Sequence, residues 1–430
     1  FLRRKVRMAG AQGFEPKNLN PALFGFQRRI VEMAVRNGRY APFTECGTGK
    51  TLMQLNWADE VVCHTNKPVL VLTPLAVAAQ TCEEAAKFGY GSTRCYDGGD
   101  VKPGINVANY DRVEKFDCSV FGGVVLDESS ILKSFTGTTK RMLLDRFSQT
   151  PYRLACTATP APNDHKELGN HSEFLGVMES TRMLSRWFLN DTMKAGGYRL
   201  KGHAVKDFWQ WVSSWAVAID RPSDLGFPDG DFILPKLNIL NHVVQSDPTI
   251  DAGDRLMRIA DLSATGLHKE MRITASDRAE KLAELVAAKD GPWLLWCNTE
   301  YEALEIRKRL PEAVEVKGSD SVDSKEKRLL GFAAGDFRVL LTKPSIAAFG
   351  LNYQHCNQMA FVGLSYSYEQ LYQAIRRSWR YGQTRDVTAH IISADSEGPV
   401  LKVILEKQAA HERMKAAMVA AIRGDEYESD

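Results

Sequence analysis

Short apolar runs alternate with longer amphipathic stretches along most of the chain. KPVLVLTP (Lys67 to Pro74), INVANY (Ile105 to Tyr110), GGVVLDE (Gly122 to Glu128) and YRLACTAT (Tyr152 to Thr159) are continuous in their hydrophobicity, and several are rich in β-branched residues. Runs of this kind predict parallel strands buried on both faces. Helical periodicity marks Gln27 to Asn37, the stretch that starts at Thr51, and Leu75 to Phe88. The alternation returns with PWLLWCN (Pro292 to Asn298), AVEVKG (Ala313 to Gly318), FRVLLTK (Phe337 to Lys343), QMAFVG (Gln358 to Gly363) and VTAHIIS (Val387 to Ser393). Helix-like stretches there cover Glu300 to Leu310, Ser324 to Ala334 and Tyr368 to Arg380. The pattern predicts an α/β fold with two parallel-sheet units. In such sheets ligands bind at the carboxyl ends of strands, so polar residues there carry information.

Between the two units, His165 to Leu237 departs from the pattern. Phe174, Trp187, Phe188, Phe208, Trp209, Trp211 and Trp215 recur at spacings that suggest helices with an apolar face. Packing in a helical insertion is expected of them, ahead of a stacking platform for bases. Asp220 to Lys236 is rich in Pro and Gly and reads as irregular chain returning to the second unit. Asp251 to Lys289 is helix-like, with Ser276 or Asp277 as the expected N-cap. Pro399 to Ile422 has a helical apolar period and no chemistry of its own. The expected divisions are 1–165, 166–245, 246–395 and 396–430.

Composition narrows the class. The chain has 430 residues, 44% hydrophobic and 25% charged, as in ordinary globular protein. Only the acidic end, Asp425 to Asp430, looks disordered in composition. A net charge of +2 means that any nucleic acid would be held in a local basic groove. The basic cluster Arg3, Arg4, Lys5 and Arg7 reads as a solvated terminus or an arm for nucleic acid. Eight cysteines are scattered without the close spacing of a zinc site or redox dithiol, which suits a reducing, cytoplasmic compartment. The longest uncharged run, Pro68 to Cys82, is too short for a membrane span, and no membrane partner is expected.

The candidate chemistry centres on TECGTGKTL, Thr44 to Leu52. Gly47 and Gly49 allow unusual backbone angles and close approach. Backbone N–H groups of Thr48 and of the following helix can wrap phosphate oxygens. Lys50 would reach the β- and γ-phosphates and Thr51 would hold Mg²⁺. The full pattern has Gly where this chain has Thr44. A second signal closes GGVVLDE, where Asp127 would bind Mg²⁺ and Glu128 would polarise the attacking water. Thr157 and Thr159 could relay between nucleotide and a second site.

Together these motifs resemble a helicase superfamily 2 motor, within it the Swi/Snf-like branch, over about Leu23 to Ala420. The resemblance implies two RecA-like lobes, with 1–165 binding ATP, 246–395 carrying arginine fingers, and 396–430 a bracing helix and tail. LFGFQRRIVEMAV (Leu23 to Val35) is similar to the family's adenine-reading segment, which makes Gln27 the adenine contact. DESSILKS (Asp127 to Ser134) resembles the DExH box followed by a DNA-facing Lys133, with Ser129 and Ser130 in place of the usual Ala-His. TPLAV and NYDRV sit where first-lobe DNA contacts lie, which implicates Pro74 and Asn109. FGLNYQ (Phe349 to Gln354) implicates Asn352 in the same way. QAIRRSWRYGQ (Gln373 to Gln383) resembles the motif whose two arginines face the nucleotide; they map to Arg377 and Arg380, with Gln373 near the cleft. Helix geometry puts Arg376 off their face. Guanidinium forks match the charge that develops on γ-phosphoryl oxygens.

The expected protein is a monomeric ATPase that uses ATP and Mg²⁺ to move on DNA, duplex in preference to single strands. An RNA or single-strand helicase, or a DNA-binding module with a decayed motor, are the alternatives.

Overall fold

The structure, a computed structural model, describes residues 13–74, 77–134, 137–191, 197–245, 264–347, 351–363 and 365–424. The basic cluster at 3–7, the acidic end, the first two residues of FGLNYQ and 251–263 of the expected helix lie outside the described residues. Two units divide the chain: residues 1–232 with 409–430, and residues 233–408.

The first unit begins with α1 (Gly25–Asn37), β1 (Arg39–Thr44), α2 (Lys50–Thr65), β2 (Val69–Thr73), α3 (Ala78–Lys87), β3 (Ser92–Arg94) and β4 (Ile105–Asn109). It continues with β5 (Gly123–Asp127), α4 (Thr138–Arg146), β6 (Tyr152–Cys156), α5 (Leu168–Phe174), α6 (Ser180–Trp187), β7 (Phe188–Asp191), β8 (Gly197–Leu200), α7 (Val205–Ser213) and β9 (Ala216–Ile219). Seven strands form a parallel sheet in the order β3-β4-β2-β5-β6-β1-β9, and β7 and β8 pair as a separate antiparallel hairpin. Side chains alternate across a strand. Leu70 and Leu72 of β2 therefore enter one core cluster, while Val69 and Val71 enter the other. With both faces covered, the strand reads as one apolar run.

Several strands escape the sequence pattern, β1 and β9 among them. β1 contains Pro42, which cannot donate to the ladder and argues against a central strand, yet it pairs with β6 on one side and β9 on the other. β9 is four residues long and follows directly on the tryptophans. It pairs with β1, and 166–232 falls within the first unit while 233–245 falls within the second. Trp187, Trp209, Trp211 and Trp215 are buried in the same cluster as Leu70 and Val124, so the core reading of the aromatics holds.

The second unit contains β10 (Leu237–Val244), α8 (Ala264–Ile273), α9 (Ala275–Ala287), β11 (Trp293–Cys297), α10 (Glu300–Arg309), β12 (Val314–Glu315) and α11 (Val322–Ala334). After these come β13 (Val339–Thr342), α12 (Pro344–Ala347), β14 (Gln358–Val362), α13 (Tyr368–Ile375), β15 (Val387–Ala394) and α14 (Gly398–Arg423), which belongs to this unit as far as Gln408. Its sheet is parallel in the order β10-β15-β14-β11-β13-β12. Two helix expectations need correction. α9 starts at Ala275 after Thr274, so Ser276 and Asp277 are not caps; Asp277 sits in the first turn, where the helix dipole favours an anion. α13 stops at Ile375 rather than Arg380: the Gln373 carbonyl accepts from Arg377 Nε, and the N–H groups of Arg377 and Ser378 bond three residues back, to the Ala374 and Ile375 carbonyls. No helix among the described residues is long and apolar enough to cross a membrane.

Candidate nucleotide site and arginine cluster

The loop between β1 and α2 turns on two glycines with left-handed φ, Gly47 at 86° and Gly49 at 81°. Gly49 is the N-cap of α2, and a Cβ there would lie 2.3 Å from Gln27 Nε2. Lys50 and Thr51 are half-buried at the first helical positions, where free N–H groups favour anions. Lys50 Nζ donates to the carbonyls of Thr44 (2.9 Å) and Glu45 (3.2 Å). Thr48 Oγ1 donates to Thr44 Oγ1 and the Glu45 carbonyl, so Thr44 serves the loop where the motif has Gly.

Gln27 is buried with both ends of its amide engaged. Its Oε1 accepts Phe24 N–H (2.9 Å), and its Nε2 donates to the Thr48 carbonyl (2.7 Å). The residue assigned to adenine thus ties α1 to the glycine loop.

Asp127 and Glu128 follow at the end of β5, both buried. Asp127 Oδ1 accepts from Gln54 Nε2 of α2 (2.7 Å), which joins the acid directly to the loop's helix. The Asp127 carbonyl accepts from Tyr110 Oη (2.7 Å). Burial, with the Asp127 and Glu128 carboxylates second, pushes the Tyr110 hydroxyl well above its usual range, so it stays a donor. Glu128 has a left-handed backbone (φ 55°, ψ 56°), a strained position for a residue with a Cβ. Its Oε2 accepts from Thr157 Oγ1 (3.3 Å), and Thr157 Oγ1 in turn accepts Thr159 N–H. Ser129 Oγ lies 3.1 Å from Nε2 of His171 on α5. Burial lowers His171 to about 4, so it is neutral near pH 7.

Among the described residues no group of three or more His, Cys, Asp or Glu side chains could hold a metal by itself. Mg²⁺ keeps waters and takes phosphate oxygens, so a hydroxyl and one carboxylate suffice on the protein side. Thr51 and Asp127 fit that requirement. The left-handed glycine loop at a helix N-terminus fits a polyphosphate.

In the second unit, Arg377 and Arg380 converge on one acceptor, the Leu351 carbonyl, at 3.2 and 3.4 Å. Arg377 also donates to the carbonyl and side-chain oxygen of Gln373. Arg376 is set apart: its guanidinium lies 4.1 Å from the Trp379 ring centroid and 5.4 Å from that of Tyr372. Its separation from the other two therefore comes from stacking in a turn, not from the helical face expected of it. The residues assigned to DNA are spread over strand ends and connections. Pro74 follows β2 and Asn109 is the buried last residue of β4, while Lys133 and Asn352 are exposed.

Residues 277–382 match the helicase conserved C-terminal domain family. That span runs from α9 through the arginine cluster and meets the resemblance drawn from the motifs in the second unit. A solved SWI2/SNF2 ATPase core from Sulfolobus solfataricus, in complex with double-stranded DNA, covers 95% of this chain and 96% of its own, at 17% identity and a TM-score of 0.45. No curated protein matches the chain. Gln54, Glu45 and Lys415 escaped the motif reading. Gln54 lies seven residues from Gly47 on an unremarkable helix face, and only the fold brings it to Asp127.

Proposed function

We propose that the chain is an ATP-dependent motor that moves on DNA, with duplex as its track. The observation that carries the reading is the Gln54–Asp127 bond, which joins the phosphate loop's helix to the acid pair within one unit. In this reading the loop N–H groups and Lys50 bind the β- and γ-phosphates, and Thr51 and Asp127 hold Mg²⁺. Glu128 takes the proton of the attacking water. Arg377 and Arg380 stabilise charge on the γ-phosphoryl oxygens. Burial of the tryptophans speaks against a base-stacking platform. DNA contacts through phosphates would make binding salt-sensitive and tolerant of sequence.

Two measurements on one preparation test this. ATPase rates are compared without nucleic acid and with single-stranded DNA, duplex DNA and RNA; duplex should stimulate most. Displacement of a third strand from a triplex is then set against unwinding of a forked duplex. Strong fork unwinding without triplex displacement would favour a conventional helicase and overturn duplex tracking.

A further inference from the structure

The second half of α14 does carry chemistry. Met414, Ala417 and Met418 pack into one core cluster of the first unit, and Ile422 packs against the other. From this anchored stretch Lys415 Nζ donates to Glu45 Oε2 (3.0 Å) and Asp220 Oδ1 (2.5 Å). The Lys415 and Glu45 side chains are only 8% and 5% exposed, whereas Asp220 is 52% exposed.

Glu45 is the first residue of the phosphate loop and is bound into it. Its N–H donates to the Ile219 carbonyl at the end of β9 (3.0 Å). Its Oε1 accepts Cys46 N–H (2.6 Å), and its carbonyl accepts from Lys50 Nζ and Thr48 Oγ1. A buried carboxylate at this place sets a negative charge beside a cradle meant for polyphosphate, in a medium that screens poorly. An uncompensated buried charge is also costly to the fold. Asp220 reaches water and needs no partner; Glu45 does not.

We propose that Lys415 is a positioning residue for the nucleotide: it neutralises Glu45 and so keeps the loop both in place and able to accept an anion. The proposal rests on the reading of this loop as the nucleotide site.

The test measures the affinity of the full chain for a fluorescent ATP analogue with Mg²⁺, beside its circular dichroism. Lys415→Met should weaken binding by about tenfold or more. Lys415→Arg, which keeps the charge, should recover most of the affinity. In a Glu45→Gln background the need for the cation disappears, so adding Lys415→Met should change affinity by less than about threefold. That pair leaves no unpaired buried carboxylate and decides the matter even if Lys415→Met alone does not fold. A tenfold loss from Lys415→Met in the Glu45→Gln background would overturn the inference, as would native affinity for Lys415→Met while Lys50→Ala binds weakly. Native affinity for Lys50→Ala would instead remove the nucleotide reading on which it rests.

Discussion

The two units share a parallel α/β architecture but bury charge in different ways. In the first, the Asp127 and Glu128 carboxylates sit at the end of β5, where Gln54 donates to one and Thr157 to the other, each keeping about 9% of its surface exposed. In the second, Arg278 of α9 and Glu302 of α10 meet at 2.6 Å with side chains 0% exposed. Arg278 also donates to the Met271 carbonyl, and Glu302 Oε2 accepts the N–H groups of Asn298 and Thr299. A charge sealed on all sides can only hold the fold together. A charge anchored on one side can still act on a ligand. The same contrast recurs inside the second unit, between sealed Arg278 and half-buried Arg380.

The largest expected effect tests the open charges. Arg380→Ala should lower kcat by about 10³- to 10⁵-fold while leaving nucleotide affinity nearly intact, because its contact forms mainly in the transition state. Arg376→Ala should do far less, since its guanidinium is spent on Trp379. Equal losses at the two positions, in steady-state ATPase assays, would erase the distinction.

Glu128→Gln comes next, with a loss of about 10²- to 10⁴-fold in turnover and ATP still bound. Hydrolysis at the parent rate would remove Glu128 as general base.

The sealed pair should answer in stability. Arg278→Met should cost about 3–5 kcal/mol in urea unfolding, because it strands the buried Glu302 and Glu397 carboxylates, and adding Glu302→Leu and Glu397→Gln should recover part of that cost. If the combined change were worse than Arg278→Met alone, the cluster would be contributing more than mutual compensation.

The smallest effect compares the units through their buried histidines. Burial holds His171 in the first unit and His390 in the second at about 4, below the ordinary 6.5. The unfolded chain takes up protons first as pH falls, so stability should decline from about 6.5 toward 4. His171→Phe should flatten that slope in urea midpoints collected across the range; an unchanged slope would place the titration elsewhere.

Much of the site was legible in local sequence. A Gly-Lys-Thr turn, two acids closing an apolar run and two arginines three apart are each confined to a few residues, and each speaks through backbone freedom or charge. The strands β2, β4, β5 and β6 were legible because burial on both faces leaves an unbroken apolar run. β1 was not, because Pro42 contradicts strand propensity and only neighbours on both sides override it. The end of α13 was hidden too, since it depends on Arg377 Nε donating to the Gln373 carbonyl.

What the sequence determined by itself was therefore which residues face the core and which local turns need left-handed glycines, since periodicity and glycine record a residue's own surroundings. Only the tertiary structure decided the partners: Gln27 on the Thr48 carbonyl, Gln54 on Asp127, His171 at Ser129, and Lys415 on a carboxylate 370 positions away. The physical reason is that a hydrogen bond or ion pair needs two groups within about 3 Å, and chain spacing carries no measure of that distance once the sheet has folded the strands together.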